Sequence, residues 1–311
     1  MSKPGDPRLI DLFNSVESES KTKVTILGYP CDLGVIRNSG RPGAKRGPDV
    51  VHSRLPKLGP IVNPELNYDL SKLVLKERGN VKVGDSLEEN HKTLTKEVET
   101  ILNDGSILIV VGGGNDQSYC NARGLMNSLK NGNIGVVNID AHLDVRPLLD
   151  GGLAHSGSPF RQLLTDSDFQ KDGGKFSEFA AQGNQSSAEH AKFVTENGGD
   201  IHWLNNVNRN TGDHFSHDVL DKFEERDVFV SFDIDSIDGA HCPGVSCPGV
   251  RGLTAQQALD VCFEAGAHLK TRMLDLSEFN PDVEEYRTGT LVCNMIYYFL
   301  MGVVERENRK R

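Results

Sequence analysis

The chain has 311 residues and a net charge of −10, with 34 Lys and Arg against 44 Asp and Glu. That acidic balance argues against a nucleic-acid or membrane partner, and no basic run outweighs it; Arg306, Arg309, Lys310 and Arg311 read as a solvated tail. Hydrophobic residues make up 37% and charged residues 25%, as in an ordinary globular protein.

The first seven residues carry no apolar core after their charge, so no secretory signal is expected. No apolar run reaches the roughly 18 residues that would span a bilayer. The expected location is the cytoplasm, where the six cysteines are reduced. Cys262 and Cys293 fall in helical apolar patterns and are expected in the core. Cys242 and Cys247 share one Pro-Gly loop with no second pair, which argues against a zinc knuckle.

In chain order, residues 1–20 read as an N-terminal tail and residues 21–311 as a single domain. Val24–Leu27 is the first strand. Residues 63–90 are polar and read as loop with weak strand. His91–Asn103 places Leu94, Val98, Ile101 and Leu102 on one helical face. Strands follow at Ser106–Val111 and Ile134–Ile139, with a helix over Gln117–Leu129 between them. Residues 170–199 are rich in Gly, Ser, Gln and Glu and read as a surface excursion with a short helix near Ala188–Val194. Ile201–Leu204 is a strand, Phe215–Glu225 a helix and Val228–Asp235 a strand. Thr254 opens a helix reaching about Gly266, Arg272–Leu276 is a strand, and Tyr286–Val304 is a long closing helix. Strands alternating with helices predict a mostly parallel sheet covered on both faces, a three-layer α/β/α arrangement. Ligands of such sheets bind outside the carboxyl ends of the strands.

Chemistry concentrates at two of those ends. The apolar run before Asp140 leads into Asp140, His142 and Asp144. In an extended segment, side chains at i, i+2 and i+4 share one side. Two carboxylates and an imidazole crowded together call for a cation between them, and oxygen with imidazole donors suits Mn, Zn or Fe(II). The second run ends in Asp233 and Asp235, with Asp238 in the following loop. Together the segments can hold two divalent ions with a bridging carboxylate.

A third segment runs Ile107–Val111 into Gly112, Gly113, Gly114, Asn115 and Asp116. It lacks the Lys-Ser/Thr ending of a phosphate loop. Taken in order, the glycine-rich turn, D-x-H-x-D and S-F-D-x-D-x-x-D resemble the ureohydrolases, the family of arginases, agmatinases and formimidoylglutamases. The resemblance extends from Ile26–Pro30 and Gly43–Pro48 to Leu276–Pro281. It implies an arginase-like fold, a homo-oligomer and two Mn(II) per subunit. Asp140 and Asp233 would bridge the metals, His142 and Asp235 would complete one site, and Asp144 would serve the other. The family usually places a histidine at the position of Asn115; an amide oxygen is a weaker ligand than imidazole, so that site should bind weakly. Asp116 is adjacent but should point elsewhere. A water between the metals would become hydroxide near neutral pH. His155 resembles the family's proton-shuttling histidine, and Glu278 the carboxylate that pairs with a guanidinium or amidinium.

The loop after Asp144 resembles formimidoylglutamases more than arginases. The implied substrate is N-formimidoyl-L-glutamate, a small anionic amino-acid derivative, cleaved to L-glutamate and formamide in histidine degradation. Its carboxylates call for guanidinium groups: Arg146 and Arg161 first, with Arg37, Arg41 and Arg209 on neighbouring loops. A guanidino-acid hydrolase or an arginase is the alternative within the class. A metal-poor arginase-like binding protein is the alternative outside it, resting on Asn115 alone. Cys31 and Cys242 follow strands that end over the same pocket, and a redox-sensitive disulfide between them is a further expectation.

Overall fold

The structure, a computed structural model, describes residues 5–13, 21–207, 210–223 and 225–309. Its strands are β1 (Thr22–Tyr29), β2 (Val62–Asn63), β3 (Tyr68–Asp69), β4 (Leu73–Asn80), β5 (Ile107–Gly112), β6 (Ile134–Ile139), β7 (Lys175–Ala181), β8 (Asp200–Trp203), β9 (Asp227–Asp233) and β10 (Thr271–Ser277). β2 and β3 form a small antiparallel ribbon. The other eight make one sheet in the order β4-β1-β5-β10-β9-β6-β7-β8, and every neighbouring pair is parallel.

Helices cover both faces. On β5, Ile107, Ile109 and Val111 pack with the closing helix Tyr286–Arg309 and the helix Ala255–Ala267. Leu108 and Val110 point the other way, toward the helices Leu87–Asn103 and Gln117–Leu129. β5 is apolar throughout, and β6 is apolar but for the buried Asn138, because neither face meets water. Local signals set the helix starts. The Ser86 side chain accepts from the Glu89 N–H, and Thr254 with Gln257 forms a reciprocal capping box. Tyr286–Arg309 is long and apolar enough to cross a bilayer by length and composition, but most of that stretch is buried within the fold.

Several sequence expectations change. The N-terminal tail contains a helix, Leu9–Phe13, whose Leu9 and Leu12 are buried in the core. Residues 63–90 contain β4, the edge strand beside β1. Residues 170–199 are not a surface excursion throughout: β7 lies between β6 and β8, buried along nearly its whole length. The expected helix over Phe215–Glu225 begins at Thr211 and runs through π and 3-10 turns to Phe223. Arg306 is not in a solvated tail. It is buried, and its guanidinium donates to the carbonyls of His268 and Thr271; Lys310 and Arg311 lie outside the described residues.

Candidate metal centre and substrate pocket

Four adjacent strands, β5, β10, β9 and β6, deliver their carboxyl ends to one place. β6 stops at Ile139, so the residues that follow converge through the loop rather than along an extended strand. The Asp140 N–H still continues the ladder to the Phe179 carbonyl, and Asp144 takes the left-handed conformation at φ +44°. Such a backbone is strained for a residue with a side chain. On β9, Asp233 closes the strand and its carboxylate accepts from the Asp235 N–H, opening one 3-10 turn. Glu278 follows β10 directly, at φ +68°.

These ends place potential ligand atoms in two overlapping sets, Asp140-His142-Asp144 and Asp140-Asp233-Asp235, each with its atoms mutually within 4.8 Å. Asp140 belongs to both, as a bridging carboxylate must. Asp233 joins one set. Asp238 does not enter: its carboxylate caps the Ala240 N–H.

The electrostatics state the need for cations. Burial, then the Asp235 charge, raises Asp140 to about 6. Burial, then Asp140, raises Asp144 to about 7. Asp233 and Glu278 are raised by burial and by neighbouring carboxylates. His142 is raised chiefly by Asp235, and its Nδ1 lies 3.2 Å from Asp140 and 3.4 Å from Asp235. Buried carboxylates this close are stable as anions only with positive charge among them. The donor set fits divalent metal.

Asn115 occupies the turn after β5. Gly113 must be glycine there, because a Cβ would lie 1.9 Å from the Cys31 carbonyl oxygen. The Asn115 N–H donates to Glu278 at 2.9 Å, and its amide nitrogen donates to Asp144 Oδ2 at 2.8 Å. Its Oδ1 faces the hydroxyls of Ser118 and Ser277. In this arrangement Asn115 orients Asp144 through its NH2 group and turns its oxygen away. Asp116 points elsewhere, pairing with His91 at 2.8 Å.

Over the centre lies a cavity of about 170 Å³ lined by His142, Asp144, Asp233, Asp235, Glu278 and Arg146, among others. Arg146 is exposed and touches Asn38. Arg161 is not on that lining. Its Nε donates to the Val145 carbonyl, and its guanidinium lies 3.9 Å from the Phe193 ring centre. Arg37 pairs with Glu88 and Arg41 bonds to the Ser246 backbone, both off the lining; Arg209 lies outside the described residues. His155 is buried beside the cavity rather than on its wall. Its Nε2 lies 3.1 Å from the Pro147 carbonyl and its Nδ1 accepts from the Gly157 N–H. Burial lowers its pKa, which favours the neutral ring.

Cys31 and Cys242, the expected redox pair, are both free and buried thiols. They sit in different hydrophobic clusters, Cys31 beside Asn90 and Cys242 beside Thr288. The cysteine that reaches the pocket is Cys247, whose thiol hydrogen-bonds to His142 and is held below its ordinary pKa by that contact. Sequence reasoning also missed Asn38, Ser156 and Ser246 on the lining. Nothing in their spacing marks them, since three separate loops bring them together.

A parallel α/β sheet with a carboxylate-rich, shared-ligand centre at its carboxyl edge defines a metal-dependent hydrolase of the ureohydrolase type. The chain belongs to the arginase family, whose sequence model matches residues 22–302. It is 31% identical to the formimidoylglutamase of Geobacillus kaustophilus, over 89% of this chain and 83% of that protein. It is likewise 31% identical to that of Macrococcus caseolyticus, over 91% and 86%. The formiminoglutamase of Trypanosoma cruzi, solved with Mn2+, superposes with a TM-score of 0.88 at 43% identity, over 97% of this chain and 99% of that one. The protein is a hydrolase acting on linear amidine C–N bonds.

Proposed function

We propose that the protein hydrolyses N-formimidoyl-L-glutamate to L-glutamate and formamide, with two Mn(II) per subunit. The observation that carries this reading is the joining of two features in one cavity. Asp140 is shared by two donor sets, and Arg146 stands on the wall above them. Asp140, Asp233, Asp235 and His142 would hold one ion, and Asp140, Asp233 and Asp144 the other. When bound, such a pair supplies a hydroxide from water near neutral pH.

The chain's own residues do the rest. Arg146 grips a substrate carboxylate, since guanidinium matches carboxylate in fork geometry. Glu278 pairs with the amidinium, and the incoming cation lets this buried carboxyl ionise. A planar, two-point ion pair fixes the reacting carbon against the metals. We assign His155 a different part from the expected proton shuttle. With both ring nitrogens engaged by backbone, it holds the loop that presents Ser156 to the cavity. An arginase reading would call for an acidic partner for the free α-amine of arginine, whereas Arg146 presents a cation there. A guanidino acid has a carboxylate and no free amine, and the substrate panel separates it.

The test is a substrate panel with Mn(II): N-formimidoyl-L-glutamate, arginine, agmatine and guanidino acids. Turnover should be confined to the first. Preferential hydrolysis of a guanidino compound would overturn the substrate assignment. Unchanged turnover in Asp140→Ala would overturn the binuclear centre.

A further inference from the structure

Beneath the ligands lies a second tier of polar residues. Asn138 on β6 is the register partner of Glu178 on β7 and of Ser231 on β9, and Ser231 is the partner of Asp275 on β10. All four are completely buried, in a row across four neighbouring strands. In sequence, Asn138 and Ser231 each stand two residues before a candidate ligand, Asp140 and Asp233. Ser231 and Asp233 lie two apart on β9 and share a face, so the row underlies the metal centre.

One end of the row reaches the ligands through Ser118, which contacts Asp275, Ser231 and Asn115. The other end is Glu178. Its two carboxylate oxygens accept from the Asn138 amide nitrogen at 3.1 and 3.2 Å. The same nitrogen donates to Asp140 Oδ2 at 3.3 Å. Asp140 Oδ1 is meanwhile held by the His142 N–H at 2.8 Å. The shared carboxylate is thus oriented through both oxygens, one from its own loop and one from β7 by way of Asn138. A glutamate in the middle of a buried strand is costly. An apolar side chain would suit the packing better, so the cost needs a return elsewhere.

We propose that Glu178 is a positioning residue for the metal centre. It fixes the Asn138 amide, and the amide fixes the rotamer of Asp140. Groups that hold ligating carboxylates in place commonly alter metal affinity by about 10- to 100-fold when removed. This inference rests on Asp140 being a shared ligand, and its test reads the metal rather than substrate.

Titrate metal-free protein with Mn(II) and record melting temperatures alongside. Glu178→Leu leaves the Asn138 amide without its acceptor and should weaken Mn(II) binding about tenfold or more. Glu178→Gln keeps an acceptor oxygen and should stay within about threefold of the parent. Asn138→Ala should weaken binding as Glu178→Leu does, and the double variant should bind no more weakly than Asn138→Ala alone, because the two act in series. A role in packing alone would lower the melting temperature of Glu178→Leu without moving the dissociation constant, and that result overturns the proposal. If Glu178→Leu does not fold, Asn138→Ala decides, and parental Mn(II) affinity there also overturns it. Asp140→Ala serves as the reference. Lost binding in that variant with parental binding in Glu178→Leu and Asn138→Ala refutes the positioning role alone. Parental binding in Asp140→Ala refutes the centre itself.

Discussion

Arg146 and Arg161 flank the same loop and have the same chemistry, yet their surroundings differ. Arg146 lines the cavity, whereas Arg161 is engaged by the Val145 carbonyl and the Phe193 ring. Arg146→Ala should raise the KM for N-formimidoyl-L-glutamate about tenfold or more and change kcat little. A contact remote from the reacting carbon is equal in ground and transition states. Arg161→Ala should leave KM unchanged and reduce stability by about 1 kcal/mol, the scale of a cation–π contact. Steady-state kinetics and denaturant melts separate the two, and the opposite pattern would move the carboxylate site to Arg161. Asn115 offers a second test at this scale. In Asn115→His, an imidazole nitrogen replaces an NH2 group 2.8 Å from Asp144. The variant should retain more metal after dialysis against dilute Mn(II), because imidazole is the stronger ligand. Equal losses from parent and variant would show that position 115 does not reach the metal.

At the scale of elements, the helices Ala255–Ala267 and Tyr286–Arg309 meet through glycine. A Cβ on Gly302 would lie 2.0 Å from the Phe263 carbonyl oxygen, and one on Gly266 would lie 2.1 Å from that of Phe299. Backbone this close cannot yield without separating the helices. Gly302→Ala should therefore destabilise by about 1–3 kcal/mol, the cost of overpacking, despite alanine's better helix propensity. A denaturant midpoint equal to or above the parent's would contradict the close approach. The same elements show what the sequence reveals. Helices with a clear apolar face, such as Leu87–Asn103, and apolar strands, such as β5 and most of β6, are legible because burial on one or both faces writes itself into composition. β7 is not. Ser177 and Glu178 interrupt its apolar run and make it look like exposed loop, yet both are buried. A buried polar residue within a strand erases the pattern by which that strand would be recognised. The metal donors are legible because two-residue spacing at strand ends is local. The pocket wall is not, because Asn38, Ser156, Ser246 and Cys247 meet only after the loops fold.

For the whole molecule, the concentration of buried acid at one edge of the sheet makes stability depend on protons and metal together. Asp140 and Asp144 rise from an ordinary value of 3.8 to about 6 and about 7, with burial the first cause in each. A carboxyl raised on folding contributes stability while protonated, and loses it as pH climbs through the folded value. Raised His142 has the same sign, since its contribution also declines above its ordinary value of 6.5. One opposing case is Asp200, lowered to about 2 through His202 and Ser177 against the effect of burial. Its contribution is present above its ordinary value and fails only in stronger acid. Between pH of about 5.5 and 8 the crowded acidic centre loses stability as pH climbs, opposed in part by histidines such as His155 and His268, whose neutral rings burial favours. Metal-free protein should melt at a higher temperature at the acid end of this window. Mn(II) binds the deprotonated ligands and should stabilise most at the alkaline end, reducing or reversing the difference. Thermal melts of chelator-treated and Mn(II)-loaded protein at the two pH values test this directly. A metal-free melting temperature that rises with pH would mean that these carboxylates are not crowded together without their cations.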